Sequence, residues 1–213
     1  MKNEREAENL TRVRKKIIML LSVLCVLPLG GCGAEREEGQ FEDFRASLTD
    51  AAVTVTAEVT ARDGDAVTAF TLRCAETPDG CDLEVLAPEE IAGVCAHVTA
   101  DGTELAFDDL ILPAPQTEGA VSPLLALPLV LRAARTGHLD LVWREDGLVC
   151  QLIPDDTAAV RLYLKDDNTP AAAEIDADGH TNVFCTINEW STEKSDANES
   201  NDTDLGGDQP GRD

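Results

Sequence analysis

The sequence predicts a mainly β (α+β) fold: one antiparallel sheet, strongly curved or open as a partial barrel, with a single apolar helix laid on it. Three observations predict it. Runs of β-branched residues alternate with polar ones, as a half-buried strand requires. Tight turns of the Asp-Gly type (Asp63-Gly64, Asp101-Gly102, Asp146-Gly147, Asp178-Gly179) join about ten such runs into sequential hairpins. One continuous apolar stretch, Leu124 to Leu131, carries helical boundaries instead.

Taken in order, Phe41, Phe44 and Leu48 are spaced as one stripe of a short opening helix. Val53, Val55, Ala57 and Val59 then alternate with Thr54, Thr56, Glu58 and Thr60, giving the first strand. Ala66 to Ala75 returns, Pro78-Asp79-Gly80 turns, and Cys81 to Leu86 makes a third strand. Residues 88–93 read as one helical turn closed by Gly93, and Val94 to Thr99 pairs with Thr103 to Phe107. Ser122 is placed as an N-cap, Pro123 as the first helical residue and Gly137 as the terminator of the apolar helix. Pro128 inside it should kink the helix or displace its start. Strands resume at Leu139–Arg144, Leu148–Ile153, Ala159–Lys165, Ala171–Ile175 and Asn182–Trp190.

The N-terminus has a different character. Arg12, Arg14, Lys15 and Lys16 precede an apolar run from Ile17 to Leu29, and Leu29-Gly30-Gly31-Cys32 closes it. That order is a secretory signal with a small-residue cleavage site. The run is shorter than the roughly 20 residues of a membrane span, and Pro28 interrupts it. Glu4, Glu6 and Glu8 ahead of the basic cluster suit a translation start further along, at Val13. The expected division is a signal peptide at 1–31, an anchor and polar tether at 32–40, one folded domain at 41–190 and a disordered acidic tail at 191–213.

Removing residues 1–31 leaves 11 basic against 38 acidic side chains, near −27. Such a charge argues against nucleic acid, whose phosphates would repel it. It also argues against direct adhesion to an anionic bilayer, which leaves the anchoring to a lipid. No Gly-x-Ser-x-Gly elbow, phosphate loop or paired metal motif occurs, so the expectation is a protein that is not an enzyme and holds no metal or cofactor. His97, His138 and His180 are scattered. Asp108-Asp109, Asp155-Asp156 and Asp166-Asp167-Asn168 lack the spacing of a calcium loop and read as solvated turns.

Five cysteines fall in the folded domain. Strand parity sets Cys74 beside Phe70 and Leu72, and Cys81 beside Leu83 and Val85, so both point to the apolar face. Flanking one turn, they are expected opposite each other and disulfide-bonded, a short loop adding about 2 kcal/mol. Cys150 and Cys185 share that face and form a second candidate pair. Cys95 and His97 point the other way. The same parity gathers Phe70, Leu72, Leu83, Val85, Leu148 and Leu152 beneath Leu127 and Leu131 of the helix. These eight line a candidate apolar cavity, or fill an ordinary core.

Several motifs, in order along residues 41–190, resemble one family. They are Pro88-Glu89-Glu90-Ile91-Ala92-Gly93 before Thr103–Leu110, Ser122-Pro123 before a Leu-rich helix, Thr136-Gly137-His138 with Val142-Trp143-Arg144-Glu145, and Asn168-Thr169-Pro170 before Ala173-Glu174-Ile175. The chain so resembles LolA-like lipoproteins of spore-forming Gram-positive bacteria, in particular the GerS germination group. The Leu-Gly-Gly-Cys sequence similarly resembles a lipobox, which implies lipidation of Cys32 and attachment to the outer face of the cytoplasmic membrane. The resemblance implies a LolA/LolB-like antiparallel incomplete β-barrel with helices covering its concave apolar face.

Two functions follow from it. One is a non-enzymatic partner of a cell-envelope protein, such as a cortex amidase (a cell-wall hydrolase) in sporulation or germination. The other is a carrier of a lipid, acyl chain or other hydrophobic ligand in the half-barrel. For Cys95 the resemblance adds an intermolecular disulfide, and hence a homodimer, beside the plain alternative of a reduced thiol on a covered outer face.

Overall fold

The computed structural model describes residues 32–107, 110–113, 122–155, 158–177 and 180–194. The leader at 1–31 and the tail beyond Lys194 lie outside the described residues. Eleven strands form one sheet in the order β6-β5-β4-β3-β2-β1-β11-β10-β9-β8-β7, every neighbouring pair antiparallel. In chain order these are β1 Ala51–Asp63, β2 Ala66–Thr77, β3 Gly80–Ala87, β4 Cys95–Thr99, β5 Thr103–Phe107, β6 Leu110–Pro113, β7 His138–Arg144, β8 Leu148–Asp155, β9 Ala158–Leu164, β10 Pro170–Ala177 and β11 His180–Lys194. The sheet does not close, because β6 and β7 are both edges.

Two α-helices lie on one face: α1, Cys32–Ser47, and α2, Ala126–Thr136. Helix α2 touches β2, β1, β11, β9 and β8. Those strands span five spacings, about 24 Å if laid flat, against a helix about 16 Å long. The sheet curls round the helix, and the expected incomplete barrel with a covered apolar face is the architecture observed. Alternation in the strands drives it: in β1, Val53, Val55, Ala57 and Val59 are buried toward α2 while the threonines between them stay at the surface.

Helix α2 starts later than Ser122. Residues Pro123–Leu125 form a 3-10 turn, and the α-helix begins at Ala126. Pro128 thus falls in the first turn, where its missing N–H costs no hydrogen bond. Ser122 precedes the 3-10 turn without a side-chain capping bond. Gly137 ends α2 because a Cβ there would sit 2.5 Å from the Ala133 carbonyl oxygen. Gly80 is required more strongly, since its Cβ would meet the Val98 carbonyl at 1.9 Å as β3 pairs with β4.

Three elements exceed or escape the expected boundaries. Helix α1 begins at Cys32 and takes in the polar residues expected to be a tether. Strand β11 runs to Lys194, pairing Ser191 to Lys194 with Thr54 to Ala51, four residues into the expected tail. Strand β6 was not expected at all.

Charged side chains tie the helices down. Arg135 Nε donates to Glu76 Oε1 at 2.6 Å, and its Nη atoms reach the carbonyls of Leu48 (2.6 Å) and Ala51 (2.5 Å) and the second Glu76 oxygen. Glu76 in turn accepts the Val53 N–H at 2.8 Å. Arg45 of α1 donates to the carbonyls of Ala134 (3.2 Å) and Gly137 (2.6 Å) and stacks on Phe41 at 4.6 Å. Phe41 meets Phe44, which meets Trp190 of β11. One corner therefore joins α1, the end of α2, β1 and β2.

Candidate functional site: a groove beside the lid and an uncovered edge

The eight residues expected to line a cavity are brought together, but they do not leave it open. Leu72, Leu83, Val85, Leu127, Leu131, Leu148 and Leu152 are buried in a single core, and Phe70 packs against it half-buried. Helix α2 fills the half-barrel. Apolar surface of this kind stabilises the fold by about 25 cal/mol per Å² removed from water, which favours filling the space over leaving it empty.

What remains open lies beside the lid. A groove of about 470 Å³ runs between the start of α2 and the ends of β3, β4, β8 and β9, lined by Cys81, Val98, Leu125, Leu129, Arg132 and Ala158. Arg132 is held at its rim by Asp155, at 2.5 Å. A larger, solvent-open cleft of about 1040 Å³ sits beside α1. Its walls are polar, and Arg144 there already pairs with Asp166 (2.9 Å) and Gln40 (2.5 Å).

The cysteines depart from expectation in pairing and agree in parity. Cys74, Cys81, Cys95, Cys150 and Cys185 are all unbonded thiols. Cys74 lies opposite Leu83, and Cys81 opposite Glu76, so the two cysteines are diagonal neighbours on one face instead of directly opposed. The Pro78-Asp79 turn fixes this offset by pairing Thr77 with Gly80. The diagonal still makes the two thiols neighbours on one face. Hydrogen bonding to Cys81, followed by burial, pushes Cys74 far up, while Cys81, as its acceptor, is lowered.

Cys150 and Cys185 are both buried, as parity required, but sit on β8 and β11 with β9 and β10 between them. Three strand spacings are about 14 Å, roughly twice the Cα separation a disulfide tolerates, so that pair cannot form. Burial pushes each of these thiols up to about 12. Cys95 lies on the opposite face, where it is exposed and not covered as expected. Nearby, His97 Nδ1 sits 2.7 Å from Asp82 and Nε2 3.6 Å from Asp79; hydrogen bonding to Asp82 raises its pKa. Cys32 opens α1, but its side chain lies outside what is described.

The feature that sequence reasoning missed is the β5–β6 hairpin. Of eight large apolar side chains exposed among the described residues, four gather here: Phe107 (47 % exposed), Leu110 (57 %), Ile111 (67 %) and Leu112 (50 %). Scattered exposed apolar residues are normal, whereas a cluster marks an interaction surface. Strand β6 is also an edge, with one side of its backbone unpaired. The signal in the sequence was Leu110-Ile111-Leu112 ending at Pro113, a short apolar run whose proline suits an edge strand.

Among known proteins, no family model and no curated protein matches this chain. Solved structures of similar shape do. An uncharacterised conserved protein of Thermus thermophilus shares 14 % identity over 74 % of this chain and 88 % of that one, with a TM-score of 0.44. A LolA-superfamily protein of Nitrosomonas europaea shares 11 % over 75 % and 93 %, TM-score 0.36. A chain from the complex of the CwlD amidase with the GerS lipoprotein of Clostridioides difficile shares 18 % over 77 % and 95 %, TM-score 0.32.

Proposed function

We propose that this chain is a membrane-anchored extracytoplasmic lipoprotein whose half-barrel acts as a non-enzymatic binding partner of a cell-envelope protein. Cys32 carries the lipid and α1 leads from it directly into the fold. The observation that supports partner binding is the contrast between a filled interior and a bare edge. Seven of the eight expected cavity residues are buried core, while Phe107 at the end of β5 and Leu110, Ile111 and Leu112 on the edge strand β6 are exposed. Unpaired backbone N–H and C=O groups along an apolar edge are a template for a strand from another chain. The ordered motifs that resemble germination lipoproteins point to a cortex amidase as the class of partner.

Crosslinking on intact membranes followed by recovery of the tagged chain tests this reading. One dominant envelope protein is expected, lost with Ile111→Lys; recovery of none, or of the same set with that substitution, refutes it. Cys32→Ala should release the chain from the membrane fraction, and continued sedimentation with membranes would remove the anchor. A dimer as the sole crosslinked product would instead make a second copy the partner.

The groove beside α2 supports a second, smaller reading, a hydrophobic ligand held against Leu125 and Leu129. Native mass spectrometry of the membrane-extracted protein separates the two. A reproducible lipid adduct lost on Leu129→Glu supports the ligand, and an adduct-free protein excludes it.

A further inference from the structure

The two thiols of the β2–β3 hairpin differ in access. Cys74 is fully buried, with Leu72 and Leu83 as neighbours in the core. Cys81 is only half-buried and forms part of the groove wall beside α2. They share one face of the sheet as diagonal cross-strand neighbours, a separation at which side chains still meet. Cys81 also follows Gly80 at the very end of the ladder, one position from the Pro78-Asp79 turn. Closing a bond between them shifts this end of β3 against β2 and β4, where Cys81 pairs with Val98.

We propose that Cys74 and Cys81 are a reversible dithiol–disulfide site, entered through the groove, with Cys81 attacking and Cys74 resolving. The co-reactant is a low-molecular-weight or protein disulfide, R–S–S–R. The Cys81 thiolate attacks one sulfur, forming a mixed disulfide and releasing R–S⁻. Cys74 then attacks the Cys81 sulfur, its proton passing to the leaving sulfur of the R group. This forms the Cys74–Cys81 bond and releases the second R group as R–SH. Two electrons pass from the pair to the disulfide, which leaves as two thiols. Cys81, half-buried on the groove wall, is the thiol a disulfide reaches first, and Cys74 behind it is fully buried. The bond would draw the end of β3 toward β2 at the groove wall, so the shape of the groove beside Leu125 and Leu129 would depend on redox state.

The test uses the full chain carrying Cys25→Ser, Cys32→Ser and Cys95→Ser, with dithiobis-nitrobenzoate as the disulfide. Cys150 and Cys185 are buried and line no part of the groove through which the reagent enters, so they stay silent while the chain is folded. The expected result is two thionitrobenzoate ions released per chain with none retained. The product should be lighter by two hydrogen atoms, and peptide mapping should show one Cys74–Cys81 link. Adding Cys74→Ala should stop the reaction at one ion, with a stable adduct on Cys81. Adding Cys81→Ser should slow the first release about tenfold or more, because access governs attack by a thiol. Circular dichroism checks that each variant is folded, and the mapping of the parent chain needs neither of these two substitutions. A stable single adduct in the parent chain would overturn the proposal, as would a Cys81→Ser chain that reacts as fast as the parent.

Discussion

The part of the sheet under α2 and the wing beyond it are built from the same alternating strands, and they differ in what faces them. Strands β1, β2, β8, β9 and β11 turn their apolar residues toward α2, and those side chains are buried. Among the described residues, strands β4, β5 and β6 pack far less against the α-helices; only Ala96 among their apolar residues is fully buried, and the side chains become more exposed from β4 to β6. The two edges differ in the same way. Edge β7 carries His138, Asp140 and Arg144 and packs against α1. Edge β6 reads Leu-Ile-Leu-Pro, with no charge to discourage a neighbour. A protein usually blunts both edges of an open sheet. Here β7 is charged and packed against α1, while β6, short and ended by proline, keeps exposed apolar side chains, and the proposed binding role rests on that asymmetry.

Breaking the covered half should cost most. Leu127→Glu puts a carboxylate into the centre of the core, and about 4 kcal/mol or more should be lost. Urea unfolding measures this; a change below about 1 kcal/mol would place Leu127 at the surface. Phe44→Ala removes the ring between Phe41 and Trp190 and should cost about 3 kcal/mol, read from the same curves. Arg135→Met leaves the Leu48 and Ala51 carbonyls and Glu76 without their donor. Because the guanidinium is 28 % exposed, solvent screens part of the loss, and about 2 kcal/mol is expected. Thermal unfolding of the variant at high and low salt checks it, and an unchanged midpoint would deny Arg135 that role.

The smallest effect belongs to the wing. Hydrogen bonding to Asp82 raises the pKa of His97, and Asp79 adds to it. A raised folded value means stability that is fully present below the unfolded pKa of about 6.5 and is lost as the pH rises through the folded value. Proton NMR should show the His97 ring titrating above the unfolded value, returning toward it in Asp82→Asn. Equal titration in both proteins would remove the pairing.

How much of this was legible follows from what each signal depends on. The hairpins from β1 to β5 were readable because alternation and Asp-Gly turns are local. So was the helix at 126–136, where Pro128 moved the start and left the helix intact. Residues Glu35–Gln40 have no apolar stripe, so nothing local marked them as part of α1. Ser191–Lys194 is polar, and it becomes strand through backbone pairing with Ala51–Thr54 that side chains do not announce. Parity placed Cys74, Cys81, Cys150 and Cys185 on the buried face correctly. Register and strand order are not local, so neither the diagonal offset of the first pair nor the separation of the second could be read. The filled cavity was undecidable for the same reason, since alternation shows which residues point inward and not what meets them there.

The most direct test of the central claim compares the two edges in the cell. A photo-crosslinking residue is placed at Ile111 on β6 or at Leu141 on β7, both well exposed, in the membrane-bound chain. The account predicts one dominant adduct with an envelope protein from position 111 and little or none from position 141. Equal adducts from both positions, or none from 111, would contradict it.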